Sequence, residues 1–189
     1  TGATPQTATI SITPTLGTCV GAPQSFDITV SPVPSVTPVP NQVVCGGEPI
    51  SVSFDGTSPS STYAWTNNNT ATGIGASGSG NISISTSPSQ TTQTGTITVT
   101  PTDNGCNGTP ITFTATVNAV PVLNPLPNVV KCAGEAIAVN FNATNGSTFA
   151  WTNDNTAVGL GANGNGSGVN FTGTATGTAS QTATINIVP

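Results

Sequence analysis

Apolar residues in this chain fall at every second position, again and again. Ala8, Ile10 and Ile12 alternate with Thr9, Ser11 and Thr13, and Phe26, Ile28 and Val30 with Ser25, Asp27 and Thr29. The same pair of runs returns as Ile97 and Val99, then Ile111, Phe113, Ala115 and Val117, set among threonines. Ile50, Val52 and Phe54, then Tyr63 and Trp65, then Ile82 and Ile84 carry the pattern between them. A period of two puts one face of a strand inward and the other in water. Turn signals separate the runs, among them Asp103-Asn104-Gly105 and the glycine-rich stretch 73–80. The chain therefore reads as all-β, with six or seven short strands per unit arranged as a β-sandwich.

The units repeat. Tyr63-Ala64-Trp65-Thr66-Asn67-Asn68-Asn69-Thr70 returns as Phe149-Ala150-Trp151-Thr152-Asn153-Asp154-Asn155-Thr156, and the two tryptophans stand 86 residues apart. A period of that length sets the architecture. Residues 1–31 read as the closing hairpin of one repeat, 32–118 as a complete repeat, and 119–189 as a following repeat without its last strand. The expectation is a window on a longer tandem array.

Proline-rich connectors open each repeat, Pro32 to Pro40 and Val120 to Pro127. Proline at this density forbids helix and central strand. Val33, Val36 and Val39, like Val120, Leu123 and Leu126, recur every third residue, which places them on one face of a polyproline II segment. That face is expected to pack against a domain, so that the connector contributes one strand.

Composition narrows the function. Charged residues make up 4% of the chain, against roughly a quarter in ordinary soluble domains. Hydrophobic residues remain at 34%, so threonine, serine, asparagine and glycine have replaced charge rather than core. With net charge −5, one lysine and no arginine, the chain has no basic patch for nucleic acid or an anionic membrane surface. It has no apolar run of about 20 residues to insert in a bilayer.

Together these elements resemble a known family. The run from Thr62 to Asn81, the strand Gln93 to Pro101, the turn at Asn104-Gly105-Cys106 and the strand closing at Val117-Asn118 are similar to the PKD-like (polycystic-kidney-disease-type) repeats. Those stand in tandem in very large surface and secreted proteins of Bacteroidota, including adhesins and surface fibres. The resemblance covers essentially the whole chain. It implies tandem Ig-like sandwiches, export, and a spacer or adhesive role, and it brings no catalytic residues.

Site chemistry is sparse. Without histidine, and with carboxylates only at Asp27, Glu48, Asp55, Asp103, Glu135 and Asp154, no Ser-His-Asp triad can form. A glycosidase would need two carboxylates across one cleft, and the complete repeat offers Glu48, Asp55 and Asp103. Calcium would draw on the asparagine turn, where only Asp154 supplies a carboxylate; an asparagine turn bonding its own backbone is the preferred reading. No cofactor, metal or catalytic residue is expected. Tyr63, Trp65, Phe149 and Trp151 read as a core signature, an aromatic pin between two sheets, rather than glycan-stacking platforms.

The four cysteines form two classes: Cys19 and Cys106 stand 87 apart, as do Cys45 and Cys132. None lies in a metal-type pair, so disulfides in an exported protein are the expected use. A Cys45–Cys106 bond would close each repeat on itself, contributing roughly 4 kcal/mol through chain entropy, with Cys19 and Cys132 paired outside the window. Strand parity puts those two turns at opposite ends of a sandwich, and then the bond would join adjacent domains instead.

The expected function is a structural repeat of an extracellular or cell-surface fibre, stalk or filament, not an enzyme, whose partners are neighbouring copies of itself. The alternative is an adhesin module gripping a glycan or another cell surface through the glycine-rich loops at 73–80 and 159–168.

Overall fold

The computed structural model describes residues 4–189; the first three residues of the 1–31 segment lie outside them. The described residues are all-β, broken only by three single 3-10 turns. By internal contacts they divide into two compact units, one running up to Ser87 and including Gln93–Asn118, the other Pro88–Thr92 with Ala119–Pro189.

The first unit begins with a hairpin. Strand β1 (Gln6–Ile12) leads through a tip formed by β2 (Thr15–Leu16) and β3 (Cys19–Val20) into β4 (Gln24–Val30). β1 and β4 pair antiparallel over seven residues, setting Ile10 opposite Phe26 and Ala8 opposite Ile28. The alternation thus makes one apolar face, yet Ile10, Ile12, Phe26 and Ile28 stay exposed. Two strands alone supply no second layer to cover such a face.

A sandwich follows. Its strands are β5 (Gln42–Cys45), β6 (Pro49–Val52), β7 (Thr62–Asn67), β8 (Ser77–Ser79), β9 (Ile82–Ser85), β10 (Gln93–Asp103), β11 (Cys106–Asn107) and β12 (Ile111–Asn118). One sheet runs β5-β12-β10-β7-β8, with β11 appended to β10, and the other is the pair β6-β9. Sequence neighbours β6 and β7 lie in different sheets, and so do β9 and β10; this crossing-over is the immunoglobulin-type arrangement. β5 runs parallel to β12, pairing Cys45 with Asn118. All other pairs are antiparallel.

The inward positions predicted from alternation form the core. Ile50, Val52 and Ile82 from the small sheet meet Ile97, Val99, Phe113, Ala115 and Val117 from the large one, and Ile74 joins from the 73–80 loop. Phe54 tilts against both Tyr63 and Phe113, at centroid distances of 5.8 and 6.4 Å. Of the connector's apolar residues, Val36 is buried and Val39 packs against the core, while Val33 is exposed. The reason is local: Val36 bridges to Gly56, and Thr37 N–H donates to Asp55 O at 2.7 Å. The strand near the connector is β5, just beyond the prolines, because its N–H groups are needed for the parallel ladder.

In the second unit, β13 (Ala136–Asn140) pairs with β16 (Gly168–Thr172), and β14 (Ala150–Asn153) lies between β15 (Asn163–Asn165) and β17 (Ile185–Val188). These repeat the β6-β9 pair and the β8-β7-β10 order. Phe141, Phe149, Trp151, Leu160 and Val169 form its core, and Leu123 and Leu126 of the connector pack against it. Segment 88–92 belongs here through hydrogen bonds from Val120 N–H to Ser89 O and from Asn145 Nδ2 to Gln90 O.

Candidate functional site

The Trp–Thr–Asn motif ends β7, and each of its three asparagines holds a different part of the fold. Asn67 is 8% exposed. Its Nδ2 donates to Asn69 O and Ile74 O, both at 2.9 Å, and to Thr72 Oγ1 at 3.4 Å, while its Oδ1 accepts from Asn69 N–H. Asn68 Oδ1 accepts from Thr96 N–H at 2.8 Å, tying the loop to β10. Asn69 caps the 3-10 turn Thr70–Thr72 by accepting from Ala71 N–H, and its Nδ2 donates to Thr94 O. The turn closes on Gly73 at φ 88°, a left-handed position, and drops Ile74 into the core at 1% exposure. Gly95 completes the arrangement: a Cβ there would lie 2.5 Å from Asn67 Oδ1.

The second unit repeats the device. Asn153 Nδ2 donates to Asn155 O, Leu160 O and Gly161 O, and Asn155 caps the turn Thr156–Val158. Asp154 stands where Asn68 stood, and its Oδ1 accepts from Thr184 N–H at 2.7 Å. That position needs only an acceptor, which Asn and Asp both supply. The asparagine turn therefore bonds its own backbone, and its one carboxylate is engaged with a strand.

The aromatic residues sit on the inner face beside this device. Phe149 is 6% and Trp151 9% exposed; Tyr63 and Trp65 are half-buried. Trp65 pairs across to Gly78 on the edge strand β8, and a Cβ on Gly78 would lie 2.3 Å from its ring. Its Nε1 donates to Gly80 O at 3.2 Å. Trp65 thus covers a glycine at the sheet margin, while isoleucine and valine fill the space between the sheets. Gly164 serves Trp151 in the same way. Glycines of the 73–80 and 159–168 loops are largely taken up by packing: Gly73, Gly78, Gly159, Gly164 and Gly168 each have a neighbour where a Cβ would stand. Burial, then the Asp55 carboxylate, pushes the Tyr63 phenol above its ordinary value, with the Ser61 hydroxyl pulling it back.

Asp103, a candidate acid by its sequence, is a buried carboxylate with structural partners. It accepts from Ser58 Oγ at 2.6 Å and Ser60 Oγ at 2.9 Å, locking the loop before β7 onto the end of β10. Glu48 lies at the other end of the sandwich, where its backbone carbonyl meets Thr86. Glu48 and Asp103 therefore do not share a cleft. Among the described residues no group of three His, Cys, Asp or Glu side chains could hold a metal ion, and no helix is long and apolar enough to cross a membrane.

All four cysteines are unpaired; Cys19, Cys45 and Cys132 are exposed and Cys106 half-buried. The register corrects the expected Cys45–Cys106 bond. Cys45 lies level with Asn118, beside the Gln93 end of β10, whereas Cys106 pairs with Asp103 at the other end. Ten residues of strand separate those levels, about 33 Å at 3.3 Å per residue. A disulfide requires Cα atoms within about 7 Å. The two strands that carry the cysteines' neighbours span the whole sandwich, so the parity argument prevails.

No family model and no curated protein matches this chain. Among solved structures it is similar to the chicken CNTN1 FN1-FN3 domains, at a TM-score of 0.36 and 8% identity, over 96% of this chain and 68% of that one.

Proposed function

We propose that this chain is a stretch of tandem structural repeats from an extracellular fibre, stalk or surface filament of the PKD-like kind. The observation that carries this reading is where the complete repeat admits and releases the chain. Ser35 and Thr57 bond reciprocally near the Asp103 end of β10, and Pro34 O lies against Gly108. The repeat ends at Asn118, beside Cys45, at the Gln93 end. Chain that arrives at one pole and departs from the other adds length with every repeat.

The surroundings of that path support a spacer. Polar chemistry inside the repeat is spent on its own loops, through Asn67, Asn69 and Asp103. The outward face of the large sheet is hydroxyl-lined, Thr94 opposite Thr116, Thr96 opposite Thr114, and Thr98 between Thr112 and Thr66. Such a face carries no charge with which to repel a neighbouring copy.

Imaging of native material by negative stain tests the reading. Filaments or stalks with a regular axial period are expected; compact particles without one would overturn it. An isolated repeat that retained glycan affinity on an array would favour the adhesin reading in its place.

A further inference from the structure

We propose that the cleft between the proline connector and β6 is a docking site for an extended peptide carrying a lysine or arginine, which adds a strand to the open edge of β6.

The cleft exists because the connector changes sheets, and all of it lies within the first unit. At the upstream pole, where the chain enters the complete repeat, the connector lies antiparallel to the segment after β6. Val36 bridges to Gly56, Thr37 N–H donates to Asp55 O, and Thr57 N–H donates to Ser35 O. By Gln42 the chain has joined the other sheet, as β5 beside β12. Between the two pairings stand Pro38 and Pro40, which have no N–H to give to a ladder. Gln42 Nε2 donates to Pro40 O at 2.8 Å and holds the departing segment in place. A cleft of about 310 Å³ opens between this segment and β6, near the small end of the roughly 300–1,000 Å³ usual for ligand clefts. Pro38, Val39 and Pro40 form one wall, Ser51 and Ser53 the other, and Asp55 lies at the end where the pairing stops.

The hydrogen bonds of β6 show which of its groups face the cleft. In an antiparallel sheet, the backbone groups of alternate residues point to opposite neighbours. Glu48 O accepts from Thr86 N–H and Phe54 N–H donates to Asn81 Oδ1, so the even positions turn toward β9. Asp55 O and Thr57 N–H turn toward the connector, and so do the other odd positions. Ser51 and Ser53 therefore direct their N–H and C=O groups into the cleft. Among the described residues no backbone hydrogen bond joins either to the connector.

An unpaired strand edge is a template for another backbone. Ser51 and Ser53 stand two residues apart, about 6.6 Å at 3.3 Å per residue, which is the repeat of any extended chain. A peptide there continues the ladder that Ser35 and Thr37 already make with Thr57 and Asp55. The volume suits a short stretch rather than a full strand. Charge then selects among peptides. Asp55 is the one charged side chain on the cleft, it is exposed, and residues 32–118 contain no lysine or arginine to pair with it. The complementary charge is left to the occupant.

The test titrates the isotope-labelled 189-residue chain with the synthetic peptide acetyl-Thr-Val-Lys-Val-Thr-amide and follows amide NMR shifts. Saturable shifts at Ser51, Ser53 and Val39, with slower hydrogen exchange at Ser51 and Ser53, are expected. The same peptide methylated on the backbone nitrogens that face β6 is expected to shift nothing, since it cannot complete the ladder. Replacing its lysine with norleucine, or making Asp55→Asn in the protein, should weaken binding about two- to fivefold, the range of an exposed ion pair. Ser53→Pro deletes a cleft-facing N–H and spares the ladder to β9, so it should abolish binding while the Val99 and Phe113 amides keep their shifts. The methylated peptide decides the matter even if that variant does not fold. No shifts at Ser51 and Ser53 with millimolar peptide would overturn the proposal, as would equal binding by the methylated peptide. The same shifts produced by an N-acetylglucosamine oligomer would also overturn it, making the cleft a glycan site.

Discussion

Asn67 is the residue on which the most depends for its size. Replacing it with alanine strands Asn69 N–H and Ile74 O in a buried loop, and each unsatisfied group costs about 1–3 kcal/mol. Asn67→Ala is expected to lower stability by about 3 kcal/mol, read as a fall in the urea midpoint at constant slope. Asn68→Asp should change stability by less than about 0.5 kcal/mol, since Asp154 does the same work, whereas Asn68→Ala should cost about 1 kcal/mol. Gly78→Ala drives a Cβ into the Trp65 ring and is expected to cost about 2 kcal/mol. Combining it with Trp65→Phe should cost less than the two changes summed, and simple additivity in a double-mutant cycle would discard the packing account. Tyr63 gives a pH signature. Its phenol is raised in the folded state, so the folded state holds that proton more firmly. The resulting stability is complete below about pH 10 and is lost as pH rises through the higher folded value. Tyr63→Phe should flatten that alkaline decline in urea midpoints measured from pH 8 to 11.

Strands were legible where alternation carries an apolar face and illegible where something else holds them. β6, β7, β9, β10 and β12 announced themselves because a second sheet lies on one side of each, and Ile50, Val99 and Phe113 are the price of that burial. Phe113→Ala, which empties the contact with Phe54 across the core, is expected to cost about 3–5 kcal/mol by thermal or urea unfolding. β8 is only Ser77–Ser79 and puts a glycine under Trp65, so it had no hydrophobic residue to mark a period and read as loop. β5 is not marked as a strand by its sequence because its partner is the last strand of the same repeat, 73 residues away and parallel. Buried polar residues were the other silent class. Asp103 and Asn67 lie inside because specific hydroxyls and carbonyls meet them, and composition says nothing of such partners. The cysteine pairing failed for a related reason: sequence period named the two classes, but only register showed that β10 runs the full length between them.

At the scale of the whole molecule, the longest strand sets the extent of the complete repeat from pole to pole. β10 has 11 residues, which at 3.3 Å each span about 36 Å. On the fibre reading proposed above, each added repeat is expected to lengthen a tandem array by about that distance or slightly more, a value that small-angle scattering from arrays of increasing repeat number would check. Growth in cross-section without growth in length would contradict it. Over these 189 residues the chemistry is monotonous by composition: hydroxyl and amide side chains, aliphatics, and almost no charge.

The parallel pairing of β5 with β12 has a mechanical consequence. These are the strands nearest the two ends of the complete repeat, and a pull on those ends draws β5 toward the upstream pole and β12 toward the downstream one. The load then lies along the strands, across hydrogen bonds that join Gln42 through Cys45 to Ala115 through Asn118, with Asn41 Oδ1 accepting from Thr114 N–H as a further tie. In that direction the bonds share the force and must rupture together, whereas a pull at right angles would peel them singly. A tether made this way would hold its length under drag until the clamp between first and last strand gives.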